Sequence, residues 1–147
     1  PAIFIGSCIS VWGYFAREIK EDWRGAIEYV NSIPREKTMV VFVANEGELL
    51  YHYYIRQLGG KPHSLAAAPQ GFHELEPPKT IQRVLEESDT DKLIERLHKQ
   101  NPEKVVLVLS HTHFSDPNDL TRKAIEREMK LVGQKSFHLV DVLEFAR

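Results

Sequence analysis

The stretch TMVVFVA, residues 38–44, is an unbroken apolar run rich in β-branched side chains. It has no polar alternation, so it reads as a strand buried on both faces, as the central strands of parallel sheets are. A second run of the same kind, KVVLVLS at 104–110, reads as its neighbour at the centre of the sheet. Outward from these two runs the periodicity becomes helical. Trp23, Ala26, Ile27, Val30 and Ile33 follow helical spacing, with Asp22 as N-cap and Pro34 as stop. Residues 48–58 predict a second helix with Leu50, Tyr53, Tyr54 and Leu58 on its buried side, closed by Gly59-Gly60.

Residues 63–68 read as a short strand, and the Pro- and Gly-bearing stretch 69–79 as an irregular connection. One or two helical turns follow over 80–87. Ser88 and Asp91 then resemble a capping box that opens a helix to about Gln100. Residues 111–118 read as a loop, 119–131 as a helix, and 136–145 (SFHLVDVLEF) as a final strand. Helix and strand alternate four times. The expected fold class is therefore α/β, a three-layer sandwich around a mostly parallel, Rossmann-like sheet.

Composition narrows function. The 147 residues suit one domain with a real core. A hydrophobic content of 42% with 27% charged residues excludes disordered, collagen-like and disulfide-scaffold classes. The formal net charge of −2 removes the electrostatic case for nucleic acid. Cys8 is the only cysteine, so no internal disulfide forms. Neither GxGxxG nor GxxxxGK[ST] occurs, so no dinucleotide or P-loop site is supported, and no cofactor is implied.

The charges are unevenly placed. Residues 1–16, PAIFIGSCISVWGYFA, carry none, and all charged residues lie in 17–147. This head is shorter than the ~20 residues of a membrane span. It lacks the basic n-region and cleavage site of a signal peptide. It reads either as a buried element of the domain or as the end of a transmembrane helix. Trp12, Tyr14 and Phe15 near its charged end match the aromatic belt of the second reading.

Ligands of open α/β sheets bind beyond the carboxyl ends of the strands. Two loops meet that condition. Glu46 and Glu48 follow the first central strand, where they also complement a helix dipole. His111 and His113, with Asp116, follow the second. These three side chains are the nitrogen and oxygen donors of a conceivable zinc site. Backbone hydrogen bonding by His111 and turn-and-cap chemistry at 116–119 account for them better, and no metal is expected. In the aromatic run at 51–54, core packing with ordinary surface is the first reading; the second exposes Tyr51 and His52, where an aromatic surface would stack on a sugar ring.

Several of these elements, taken in order, resemble a known family. Glu21-Asp22-Trp23-Arg24-Gly25-Ala26 after an aromatic-terminated apolar run, the VVFVA strand, Tyr53-Tyr54-Ile55-Arg56 and the VLVLSH strand at 106–111 are similar to the C-terminal extramembrane domain of polytopic glycosyltransferases. These resemble the dolichyl-phosphate-mannose–protein mannosyltransferases, glycosyltransferase family 39. The resemblance implies that 1–16 ends the last transmembrane helix and that 17–147 is a single domain on the non-cytoplasmic face. It implies an accessory role in an enzyme that moves a mannose-like sugar from a polyprenyl-phosphate donor to an acceptor glycan or protein. The catalytic loops of such enzymes lie between membrane helices outside this chain, so no catalytic residue is assigned. The partners implied are the transmembrane portion of the same parent chain and the lipid-linked sugar or its acceptor. Asp22, Trp23, Arg24 and Gly25 read as a structural junction. Asp22 would cap the first helix, Trp23 would wedge it to the sheet, and Arg24 would meet phosphate head groups or an acidic residue. Arg24, Glu46, Tyr51, His111 and His113 are the candidate substrate-binding residues. The alternatives are a free-standing α/β enzyme, such as a metal-assisted hydrolase using His111, His113 and Asp116, and a protein-binding module.

Overall fold

The structure is a computed structural model that describes residues 20–43, 46–68 and 84–147. The uncharged head 1–16 lies outside the described residues. Among the described residues, five helices and five strands follow in the order α1 (Trp23–Ser32), β1 (Thr38–Val43), α2 (Gly47–Gln57), β2 (Ser64–Ala67), α3 (Glu87–Gln100), β3 (Lys104–Leu109), α4 (Thr112–Ser115), α5 (Leu120–Glu128), β4 (Lys130–Phe137) and β5 (Val140–Ala146). The sheet order is β2-β1-β3-β5-β4.

The two apolar runs lie side by side at its centre. Val40 pairs with Val106 and Phe42 with Val108 in parallel register. Every residue of β1 is buried. Alternate residues feed two cores. Val40, Phe42, Val106 and Val108 meet Ala26, Ile27 and Val30 of α1 and Ile55 of α2 on one face. Met39, Val41, Val105 and Leu107 meet Leu93 and Leu97 of α3 and Ile125 of α5 on the other. A strand covered by helices on both faces needs apolar side chains at both parities, which is why TMVVFV and KVVLVL have no polar alternation.

The expected mostly parallel sheet is not what forms. β1 pairs in parallel with β2 and β3, but β5 runs antiparallel to β3 and to β4. The sheet is mixed and open. The cause is local: Phe137 pairs with Val140, so only His138 and Leu139 separate β4 from β5. A link that short joins only antiparallel neighbours; a parallel return takes a dozen residues or more.

The expected helix 119–131 ends at Glu128, and β4 begins at Lys130 inside that range. The expected single strand 136–145 contains the hairpin turn. β4 is an edge strand exposed along most of its length, bearing Lys130 and Lys135 and a bulge between Leu131 and Gly133. Such an edge carries no buried alternation for a pattern reading to detect. Two smaller corrections concern helix starts. The capping box of α3 is Glu86 with Asp89 rather than Ser88 with Asp91. The loop 111–118 contains the short helix α4.

One polar cluster interrupts the α1 side of the sheet. The Tyr29 hydroxyl donates to Glu144 of β5, and Lys104 of β3 binds the other carboxylate oxygen at 3.0 Å. Burial pushes the Glu144 carboxyl up, but the bonds from Tyr29 and Lys104 and the lysine charge outweigh it and hold the group below its ordinary range. Lys135 of β4 lies 4.5 Å from the Tyr29 ring centroid and closes the cluster from the edge.

Candidate functional site at the carboxyl rim of the sheet

The carboxyl ends of β1 and β3 and the β4–β5 turn share one rim. Ser110 N–H donates to the Val43 carbonyl at 2.8 Å, and Leu109 is paired with Asp141 at the start of β5. The chain before α1 reaches the same rim. Asp22 N–H donates to the His138 carbonyl in the β4–β5 turn at 2.9 Å, and the Glu21 carboxylate meets His111 Nε2 at 2.7 Å.

The Asp22–Gly25 segment makes this junction rigid. Asp22 accepts the Gly25 N–H at 2.8 Å and caps α1 as its sequence position predicts. Glycine fits there because a Cβ on residue 25 would lie 2.4 Å from Asp22 Oδ2. Trp23 is buried, and its ring tip fills the space where a Cβ on Gly47 would stand, 2.8 Å away. The indole thereby wedges the start of α1 against the start of α2 and Phe42 of β1. Arg24 is exposed and pairs with Glu28 one turn on, at 3.0 Å.

His111 adopts a left-handed backbone, φ 51°, which turns the chain sharply out of β3. Its Nδ1 lies 3.2 Å from Ser110 Oγ, and its Nε2–H donates to Glu21. His113 is exposed on α4, its ring centroid 6.3 Å from that of His111 and 4.0 Å from that of Phe114. Asp116 does not turn toward the two histidines. It is buried, and its carboxylate accepts the Leu120 and Thr121 N–H groups at 2.7 and 2.9 Å, capping α5. Among the described residues no group of three or more His, Cys, Asp and Glu side chains is placed to hold a metal ion.

Glu46 is half-buried at the start of α2, and its carbonyl accepts from Leu49. Tyr51 corrects the sequence expectation. It is fully buried, while Tyr53 is 58% exposed. The fully buried stripe of α2 is Glu48, Tyr51 and Ile55; of the expected side, Leu50, Tyr54 and Leu58 are partly buried against the same core and Tyr53 faces solvent. The aromatic run at 51–54 offers an aromatic side chain to either phase, so periodicity alone does not choose. The Tyr51 hydroxyl bonds His63, just before β2, at the opposite end of the sheet from the rim. Tyr51 therefore touches no ligand at the rim.

A cleft of about 420 Å³ opens at the rim between α4–α5 and the β5–β4 side of the sheet. Leu109 and Leu143 contribute apolar wall. His113 and Thr112 of α4, Arg122 of α5, Asp141 of β5 and Gln134 of β4 supply polar groups around it. Arg122 is held by Asp119, with Nε to Oδ2 at 2.6 Å. Apolar wall with convergent amide, imidazole and carboxylate groups suits a hydroxyl-rich ligand. A larger hollow of about 660 Å³ near His98, Glu128 and Arg147 lies at the amino end of β3, away from the candidate residues. Of the cleft residues, sequence reasoning found His113 and Asp116. It missed Gln134 because β4 was unread. Asp141 carried a legible signal, a carboxylate interrupting the apolar run LVDVL. Glu21 gained meaning only through His111, which is remote in sequence.

No family model, no curated protein and no solved structure matches the chain.

Proposed function

We propose that the domain is the extramembrane accessory part of an integral-membrane glycosyltransferase that moves a sugar from a polyprenyl-phosphate donor to an acceptor. The observation that carries this reading is the tether of the chain's start to the cleft-bearing rim, through Glu21–His111 and Asp22–His138. The uncharged head 1–16 precedes that tether by four residues, Arg17-Glu18-Ile19-Lys20, so in this reading a head that ends a membrane helix would hold the cleft-bearing rim close to the bilayer. In this reading the domain makes and breaks no bond. His113, Gln134 and Asp141 offer hydrogen bonds to sugar hydroxyls, and the Leu109–Leu143 wall packs on the ring. Arg24, Glu46 and His111 stand around the same rim. Among the described residues no helix is long and apolar enough to cross a membrane.

The test is sugar transfer in membranes that carry the full reading frame, with a polyprenyl-phosphate sugar as donor. Asp141→Asn and His113→Ala each remove one polar contact, and a loss of about 1.4 kcal/mol lowers transfer about tenfold at subsaturating substrate. His98→Ala at the opposite end of the sheet leaves it unchanged. Unchanged transfer in both cleft variants, with the proteins present at normal level, would overturn the reading.

A further inference from the structure

We propose that the rim itself is a bilayer-contacting surface, with Phe114 and Leu139 seated in the lipid interface. The proposal rests on the membrane reading above and adds to it the orientation of the domain. Seven large hydrophobic side chains are exposed among the described residues; Tyr53 of α2 and Leu131 and Val132 of the edge strand β4 lie away from the rim, and the two most exposed of the seven stand on it. Phe114 on α4 is 71% exposed, and Leu139 at the tip of the β4–β5 hairpin is 62% exposed. Leu49 in the first turn of α2 is also exposed, as is Val84, whose neighbour Leu85 hydrogen-bonds Ser115 of α4. All four stand at the carboxyl rim.

Leu139 is costly where it is. Its φ is 58°, a left-handed conformation that glycine or asparagine adopts at hairpin tips and that a leucine adopts under strain. Leu139 thus holds most of its apolar surface in solvent at a backbone position that disfavours leucine, which leaves that surface available to something outside the domain.

The sequence indicates what covers the rim. The stretch that leads into Glu21 and Asp22 is uncharged over 1–16 and carries Trp12, Tyr14 and Phe15 near its end. Aromatic residues in that position favour the membrane interface, and Phe and Leu on a protruding turn and helix partition there by their apolar area. The cleft then opens toward the lipid, and a lipid-linked sugar reaches it more directly than a water-borne one.

The experiment uses the 147-residue chain with Cys8→Ser and single labelling sites at Phe114→Cys, Leu139→Cys and, as control, Val132→Cys on the exposed edge strand. An environment-sensitive fluorophore is attached at each, and the chains are mixed with phosphatidylcholine vesicles. The expected result is a blue shift and quenching by nitroxide-labelled lipid at 114 and 139, and neither at 132. Hydrogen exchange on the unlabelled chain should show new protection over 111–115 and 137–140 on vesicle binding. Vesicle association with no change at 114 or 139 overturns the orientation and leaves the membrane reading standing. No association at all overturns both. A concentration-dependent blue shift at 114 and 139 without vesicles assigns the rim to a second copy of the chain and overturns the proposal.

Discussion

The Tyr51 hydroxyl donates to His63 Nδ1 at 2.8 Å and accepts the His63 backbone N–H at 2.9 Å. The assignment follows from the other ring nitrogen. Nε2 lies 3.2 Å from the Ile33 carbonyl, which only accepts, so the proton is on Nε2 and Nδ1 is the acceptor. The neutral ring is thus fully bonded in a buried position between α1, α2 and β2.

Burial pushes the His63 pKa down, against the Ile33 carbonyl, with the Arg35 charge adding to the decrease. A histidine depressed in the folded state is protonated more readily when unfolded. Its contribution is therefore fully present above the ordinary value of about 6.5 and is lost as pH falls below that toward the depressed folded value. Urea unfolding at pH 7.5 and pH 5 should show this loss. His63→Gln should show a smaller difference between the two pH values. An identical difference in both proteins would show that His63 does not set it. Tyr51→Phe strands two polar groups of His63 and should cost about 1–3 kcal/mol at neutral pH.

Asp22 and Gly25 should couple. Asp22→Ala removes the α1 cap and costs about 1 kcal/mol. Gly25→Ala in that background should recover up to about 1 kcal/mol, the helix preference of alanine over glycine. In the otherwise unchanged protein the same substitution drives a methyl group against the Asp22 carboxylate and should yield no gain. Urea denaturation of the four proteins measures the cycle, and additivity would contradict the contact.

Asp116→Ala should cost about 1–3 kcal/mol because it leaves the Leu120 and Thr121 N–H groups without their acceptor. Asp116→Asn, which keeps one acceptor oxygen, should cost less. Calorimetric titration of the unchanged chain with zinc should show no stoichiometric binding tighter than micromolar. The carboxylate is turned into the helix, and His111 Nε2 is engaged by Glu21. Tight binding lost in His111→Ala would reinstate the metal-assisted reading.

Leu139→Gly should raise thermal stability by about 1 kcal/mol, by relieving the left-handed backbone of an exposed side chain. The same substitution should weaken vesicle contact at the hairpin tip. Destabilisation would mean that Leu139 packs within the domain.

The centre of the fold was legible because burial on both faces writes itself into residue type. β1 and β3 need apolar side chains at both parities. The Asp22 cap and the Trp23 wedge were legible for the related reason that their chemistry is local or bulky. β4 was not. Its stability comes from backbone pairing with β5 while its side chains face solvent, so KLVGQKSF carries no periodic signal. The hairpin turn His138-Leu139 has no glycine or asparagine to announce it. Missing it turned an antiparallel pair into an expected helix and a lone strand, and with it the sense of two of the four strand pairings.

The sequence alone determined that a domain of alternating helices and strands would form around two apolar strands, and that an uncharged head precedes it. These follow from hydrophobic pattern and charge, which act wherever the chain goes. Only the tertiary structure decided that β5 inserts beside β3 and that Tyr51 faces inward to His63. It also decided that Glu21 meets His111 and that Phe114 and Leu139 share a rim with the cleft. Each of these depends on which residues distant in sequence become neighbours, and a side chain's partner across space leaves no mark on its own position in the chain.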